Sequence, residues 1–241
     1  MHKTRILRCI SILLISLITV SASAKKKDKN EDNLIADNAV FFGGVAVSAD
    51  LVGLSMKLLG SKFANMEVAG RLNILEKYYP IVELGIGDCT KSGSDNNNKF
   101  STSSPYFRVG ADYNFNRKMN GNRLFGGLRY GFSKYNYDFE NPDFGDAIYG
   151  GTTPLRFSNL NGKNQWLELV VGVETKLWSI IRLGWNIRYK FRLKQNVSEY
   201  GEPWFVPGFG KNGGTVFGGT VNLTIDVGKS ARKTIKKKET E

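Results

Sequence analysis

Residues 181–194 read I-R-L-G-W-N-I-R-Y-K-F-R-L-K. Ile181, Leu183, Trp185, Ile187, Tyr189, Phe191 and Leu193 alternate without a break with Arg182, Gly184, Asn186, Arg188, Lys190, Arg192 and Lys194. Period two sends successive side chains to opposite faces of a strand. At about 3.3 Å per residue such a strand is long enough to cross a membrane at a tilt. A face with five cations does not suit the middle of a dry sandwich. It suits a barrel with an apolar outside and a polar interior.

Seven further runs alternate in the same way, at about 45–51, 66–72, 82–86, 107–115, 124–132, 167–173 and 217–227. Eight runs predict an all-β chain, an eight-stranded antiparallel up-and-down transmembrane β-barrel. The connections after the second, fourth and sixth runs are short, about 74–79, 116–122 and 176–179. Those after the third, fifth and seventh are long, about 88–104, 138–163 and 195–212, and the first, about 53–62, is intermediate. Short turns at one end and long loops at the other are the pattern of an outer-membrane barrel. The long loops are expected outside the cell.

The polar face assigns seven cations to the lumen, Arg71, Arg108, Arg129, Arg182, Arg188, Lys190 and Arg192. Facing them are Asp50, Glu67, Glu83, Asp112, Glu168, Glu174 and Asp226. Eight strands leave an interior that side chains fill, and buried charges have to pair. The balance therefore predicts a salt-bridged plug rather than an open channel. Glycines on the same face are expected to make room for the arginines. Aromatics near the run ends are expected to form interfacial girdles: Tyr78, Tyr79, Phe115 and Trp178 on one side, Tyr106, Tyr135, Tyr137 and Trp166 on the other.

The N-terminus adds an address. Lys3, Arg5 and Arg8 precede an apolar run at 10–20 and an Ala22-Ser23-Ala24 ending, the features of a secretory signal peptide cleaved after Ala24. The organisation expected is a signal peptide over 1–24, a polar periplasmic linker over 25–38, the outer-membrane barrel over 39–228 and a basic periplasmic tail over 229–241. The formal charge of +12 falls to +9 once the three signal cations are removed, leaving 31 basic and 22 acidic residues. Much of the excess lies in the two tails, so export and placement argue against nucleic acid as a partner. His2 leaves with the signal, and the mature chain has no histidine and one cysteine, Cys89. That removes histidine-based nucleophile pairs, proton relays and metal sites. No catalytic, cofactor-binding or metal-ligating residue is assigned.

Gly208-Phe209-Gly210-Lys211-Asn212-Gly213 spells G-x-G-x-x-G, but an alternating strand follows it where a nucleotide fingerprint needs a helix. Within 199–209, Tyr200, Trp204, Phe205 and Phe209 are a candidate loop surface. The simpler reading folds them down over the barrel mouth. The same two readings apply to Phe139, Phe144, Tyr149 and Phe157 in the second long loop. Asp95-Asn96-Asn97-Asn98-Lys99 reads as a loop tip. Glu168 and Glu174 could be paired acid–base carboxylates, but their spacing and arginine surroundings favour structural pairing.

Four segments carry a resemblance: 104–110 (SPYFRVG), 127–132 (GLRYGF), 188–193 (RYKFRL) and 202–210 (EPWFVPGFG). They resemble a family of Bacteroidota outer-membrane β-barrel proteins known as a domain of unknown function, DUF6048-like. The resemblance covers roughly 40–228. It implies an outer-membrane barrel, with outer-membrane lipid and the barrel-assembly machinery as partners, and supplies no activity, ligand or functional residue. Such barrels often end on an aromatic of the last strand; here the last run ends at Val227-Gly228 and a basic tail follows.

The expected function is non-enzymatic: a barrel with a largely plugged lumen and long extracellular loops, in a structural or surface-interaction role. The alternatives are a narrow channel for small anionic solutes and a soluble periplasmic ligand-binding barrel. Lipid-modifying barrel enzymes typically use a histidine, which the mature chain lacks.

Overall fold

The computed structural model describes residues 41–92, 98–116, 122–145 and 150–227. The segments 1–24, 25–38 and 229–241, and most of the tip at 95–99, lie outside the described residues. In chain order come β1 (Phe42–Asp50), α1 (Leu51–Leu58), β2 (Phe63–Ile74), β3 (Tyr78–Ser92), β4 (Lys99–Asn114) and β5 (Arg123–Gly145). Then follow β6 (Thr152–Lys176), β7 (Ile181–Val197), β8 (Phe205–Val206), β9 (Gly210–Lys211) and β10 (Thr215–Val227). Eight of these strands close into an antiparallel barrel in the order β1-β10-β7-β6-β5-β4-β3-β2, and β8 and β9 pair only with each other.

The alternation sets the register. Apolar outward residues pair with apolar outward residues, as in Leu128↔Leu169, Val171↔Ile187 and Tyr189↔Phe217. A slip by one position would turn every arginine outward. The outward apolar set stays exposed, with Leu84 at 59%, Val171 at 59% and Phe217 at 70%. It forms a band. Its lower edge runs through Tyr78, Tyr113, Leu124, Val173, Ile181 and Val227. Above it, Ile86 gives way to Asp88, Pro105 to Ser103, Phe132 to Lys134 and Leu167 to Gln165. Between these edges no outward position among the described residues is charged.

The expected long loops are shorter than the sequence implied. β3 runs to Ser92, β4 starts at Lys99, and β5 and β6 continue through most of 138–163 as a ribbon. Their outward residues there are polar, Lys134, Asn136 and Asp138, so hydrophobic contrast fades while backbone pairing persists. Phe139 and Phe157 face each other across this ribbon. A bulge beside them puts Asn159 at φ 59°, and its N–H donates to Asp138 Oδ1 at 2.7 Å.

The first connection contains a helix that alternation did not reveal. Asp50 caps α1 by accepting from the N–H groups of Val52 (3.0 Å) and Gly53 (3.2 Å), satisfying two of the donors a helix start leaves free. Gly53 fits because a Cβ there would overlap the Asn65 carbonyl.

The β2–β3 turn is less well matched to its sequence. Lys77 N–H donates to the Ile74 carbonyl at 3.1 Å around Leu75 (φ 56°) and Glu76 (φ 55°). Two positive φ values make a type I′ turn, which favours Asn-Gly. Left-handed backbone costs an L-residue about 1–2 kcal/mol. Leu75→Asn combined with Glu76→Gly is therefore expected to stabilise the barrel by about 1–3 kcal/mol, read as a higher urea midpoint of unfolding; a lower midpoint would contradict this account of the turn.

Candidate functional site

Among the described residues, the barrel interior concentrates buried charge. Buried there are Arg71, Arg108, Arg123, Arg129, Arg182, Arg188 and Lys190 with Asp50, Glu67, Glu83, Asp112, Glu168, Glu174 and Asp226, seven of each sign. Two predicted assignments change. Arg192 is only half-buried, near the mouth, where it donates to Gln195 Oε1 and Asn212 Oδ1, both at 2.6 Å. Arg123 replaces it in the count; it lies one residue before the run that began at Leu124, in phase with inward Gly127 and Arg129. Asp50 is inside but its carboxylate caps α1, so it is not committed to an arginine.

At mid-height three arginines interlock with four acids. Arg129 holds Asp112 with two parallel bonds, 2.7 and 2.9 Å, and reaches Glu83 at 3.2 Å. Arg188 donates to Glu83 at 2.9 Å and to Glu67 at 3.1 Å, with Glu168 at 3.5 Å. Arg108 pairs with Glu67, and with Glu83 and Glu168, both at 2.9 Å. Glu168 also accepts from the Trp166 indole N–H at 2.6 Å and Glu67 from the Tyr106 hydroxyl at 2.9 Å. Near the short-turn end Arg71 and Arg123 share Glu174, Arg182 pairs with Asp226, and the Arg123 guanidinium lies 4.5 Å from the centre of the Tyr79 ring. A cavity of about 20 Å³ separates these groups, lined by Asp50, Arg71, Glu83, Glu174 and Arg188 among others. That is room for a water molecule or two.

Above the charges the filling is aromatic. Tyr106, Tyr135, Tyr137 and Trp166, expected as a girdle, all point inward and are buried, as is Tyr79 at the other end. Only Tyr78, Phe115 and Trp178 of the expected set are exposed. Hydrophobicity cannot say which face an aromatic takes; phase can, and all five share the phase of the lumen charges. The inward glycines follow from this. Gly85 sits opposite Tyr106, Gly131 opposite Trp166 and Gly162 opposite Tyr135, and a Cβ at each would strike that ring. These three make room for rings, while Gly110 and Gly127 make room for Arg129 and its partner Asp112, as the sequence predicts.

The β8–β9 hairpin closes the mouth. Its turn is Val206-Pro207-Gly208-Phe209, with Phe209 N–H on the Val206 carbonyl at 3.1 Å and Gly208 at φ 78°. Proline and then a glycine of positive φ are what a type II turn requires, and this is the role of the G-x-G-x-x-G stretch. Phe205, Val206 and Phe209 are fully buried against Tyr106, Tyr135 and Trp166. Phe205 and Phe209 are therefore not surface, correcting their place in the candidate loop surface. Trp204 is half-buried beneath Lys91, 3.9 Å from its ring centre, and Tyr200 is exposed and stacks on Phe157. Lys190 ties the turn to the charge network: its ammonium donates to the carbonyls of Gly208 (2.6 Å) and Phe209 (3.2 Å), 3.9 Å from Glu168.

The chemistry of this interior is pairing. Glu67, Glu83 and Glu168 are each held by two or more residues, and Asp112 by the two-bond grip of Arg129. Cys89, buried above the apolar band, has its thiol pushed up to about 11 by that burial, too high for a ready thiolate at neutral pH. Among the described residues no three metal-ligating side chains converge.

Glu168→Ala would leave Arg108, Arg188, Lys190 and the Trp166 N–H short of an acceptor, a loss of about 3–5 kcal/mol. Glu140→Ala, which breaks the exposed pair with Lys99 at 3.2 Å, is expected to cost no more than about 1 kcal/mol. Urea midpoints of both variants in lipid vesicles check the contrast; equal shifts would mean that the buried network is already wet.

Neither the curated proteins nor the solved structures contain a match to this chain. A family match covers residues 5–227, which takes in every strand of the barrel. The chain belongs to the family described as Domain of unknown function (DUF6048).

Proposed function

We propose that the protein is an integral outer-membrane barrel with a closed lumen, serving a structural or surface-interaction role rather than catalysis or permeation. The observation that carries this reading is the charge-free outward band around seven buried cations and seven buried anions. Water would solvate such an interior and reject such an exterior; lipid reverses both preferences. This is also why a soluble ligand-binding barrel is the weaker reading. The exposed leucines of α1 and its end, Leu54 at 45%, Leu58 at 80% and Leu59 at 85%, would lie at the upper membrane boundary. The signal peptide read at 1–24 supplies the route of export, and the barrel-assembly machinery the means of insertion.

A channel is disfavoured by two successive obstructions, the buried β8–β9 hairpin and the paired arginines beneath it. The part facing the medium is then the β5–β6 ribbon with the 198–204 segment against it, joined where Tyr137 donates to the Gly201 carbonyl at 2.5 Å. That platform exposes Tyr200 and a polar wall. It is the region best placed to meet a surface ligand.

An epitope inserted at Asn97 should be labelled on intact cells, and one inserted between 116 and 122 only after permeabilisation; the reverse would invert the orientation. Trp185→Arg, on the lipid face, is expected to cost about 2–4 kcal/mol, measured by folding into vesicles. Wild-type protein in planar bilayers should show no steady conductance. Robust anion-selective conductance would replace the closed-lumen reading with the channel.

A further inference from the structure

Lys134 and Lys163 face outward from directly opposed positions on β5 and β6. A bulge after Arg192 breaks the alternation of β7 and turns Lys194 outward, opposite Gln165, the next outward residue of β6 below Lys163. Directly opposed strand residues have Cβ atoms about 5 Å apart, and diagonal ones about 7–8 Å. Three ammonium groups can thus meet on one patch of wall. Like charges opposed in this way are destabilising by themselves. None of the three makes an ion pair among the described residues. The acids higher on the ribbon are occupied: Asp138 accepts from Asn159 and Ser101, and Glu140 pairs with Lys99. The patch also has a defined height. Phe132 and Leu167 are the next outward residues below Lys134 and Gln165, so it sits on the upper edge of the apolar band.

We infer that Lys134, Lys163 and Lys194 form a docking site for the phosphate groups of an anionic outer-leaflet lipid. The inference rests on the membrane reading above. Two features commit it to a lipid. The cations lack a counter-charge among the described residues, and the surface immediately beneath them is the apolar wall on which the acyl chains of the same molecule would lie. A phosphorylated headgroup then supplies the missing anion at the height where headgroups end and chains begin. Lysine suits this work because its stem lies along apolar surface while the ammonium reaches the boundary.

The test uses the full chain in nonionic detergent, titrated with bis-phosphorylated lipid A, with its dephosphorylated form, and with inorganic phosphate. Binding is followed by native mass spectrometry and by the midpoint of the heat-induced gel shift. A lysine near an anionic surface contributes roughly fivefold in affinity at low salt. Wild type should therefore prefer the phosphorylated form on the order of a hundredfold. The triple variant Lys134→Gln, Lys163→Gln, Lys194→Gln should lose the preference, yet without lipid be at least as stable as wild type, because a like-charge contact is relieved. The corresponding triple Lys→Arg variant should keep it. Equal binding of both lipid A forms by wild type, or a preference that survives in the Gln variant, overturns the site. Inorganic phosphate binding as tightly as lipid A overturns the lipid assignment in favour of a free anion. Whether the protein stays in solution without detergent is measured first; if it does, the membrane reading fails, and that result is distinct from a detergent-requiring barrel whose lysines are inert.

Discussion

The structure depends on the pairing of arginine with carboxylate inside a barrel narrow enough for side chains to fill. Arg108, Arg129 and Arg188 converge on Glu67, Glu83, Glu168 and Asp112 from strands β4, β5 and β7 on one side and β2, β3, β4 and β6 on the other. Arg188 spans the lumen from β7 to Glu67 on β2 and Glu83 on β3, and Arg108 and Arg129 each also reach a strand beyond their immediate neighbours. The closed barrel is thereby cross-braced as well as hydrogen-bonded around its girth. Removal of a charge from water is expensive unless its partners are supplied in good geometry. A planar guanidinium with five donors meets that demand better than an ammonium, and six of the seven buried cations are arginines.

Lys190, the one buried lysine among the described residues, has a different task. Lys190 stands where the charged filling meets the aromatic filling, and its compact head fits the two carbonyls of the Gly208 turn. Above it the constraint changes from charge balance to volume. Trp166, Tyr135, Tyr106 and the hairpin residues Phe205 and Phe209 fill the mouth, and glycines on the facing strands make the space. Trp166 belongs to both regimes, since its ring packs at the hairpin while its N–H serves Glu168. The hairpin is therefore held from below by a hydrogen-bonded lysine and from the sides by rings.

The number of strands, their order and thirteen of the fourteen predicted lumen charges were legible in the sequence, because alternation is a local signal and parity propagates along each strand. Where reading failed, a second physical quantity was needed. The β5–β6 ribbon reads as loop because its outward residues are polar, as at Lys134, Asn136 and Asp138, so hydrophobic contrast fades while pairing continues. Tyr106, Tyr135, Tyr137 and Trp166 read as girdle residues because an aromatic ring suits an apolar surrounding and a packed lumen equally; their phase, counted from Arg108, Ser133 and Glu168, places them inside. Arg123 escapes the pattern because it precedes the first apolar residue of its run, Leu124. Helix α1 was hidden because Leu51 continues the alternation of β1 into the first turn, while the stop signal, Asp50 as a cap, was read only as a lumen charge.

The two faces of each strand carry two kinds of information that a single hydropathy profile mixes. The inward residues report how the barrel is filled: acids and arginines below, rings above, with the change at Tyr106 and Trp166. The outward residues report the surroundings at each height: apolar up to Ile86, Pro105, Phe132 and Leu167, and polar or cationic beyond. The two changes do not need to coincide, because one is set by what fits between strands and the other by what solvates their outside. Near the upper edge they nearly do. Trp166, inside, is the sequence neighbour of Gln165 and Leu167, outside, so the aromatic plug begins at about the height where the apolar wall ends. Charge pairing is thus confined to the part of the lumen that the apolar wall surrounds, where water is least able to reach an unpaired group, and the hairpin covers it from above.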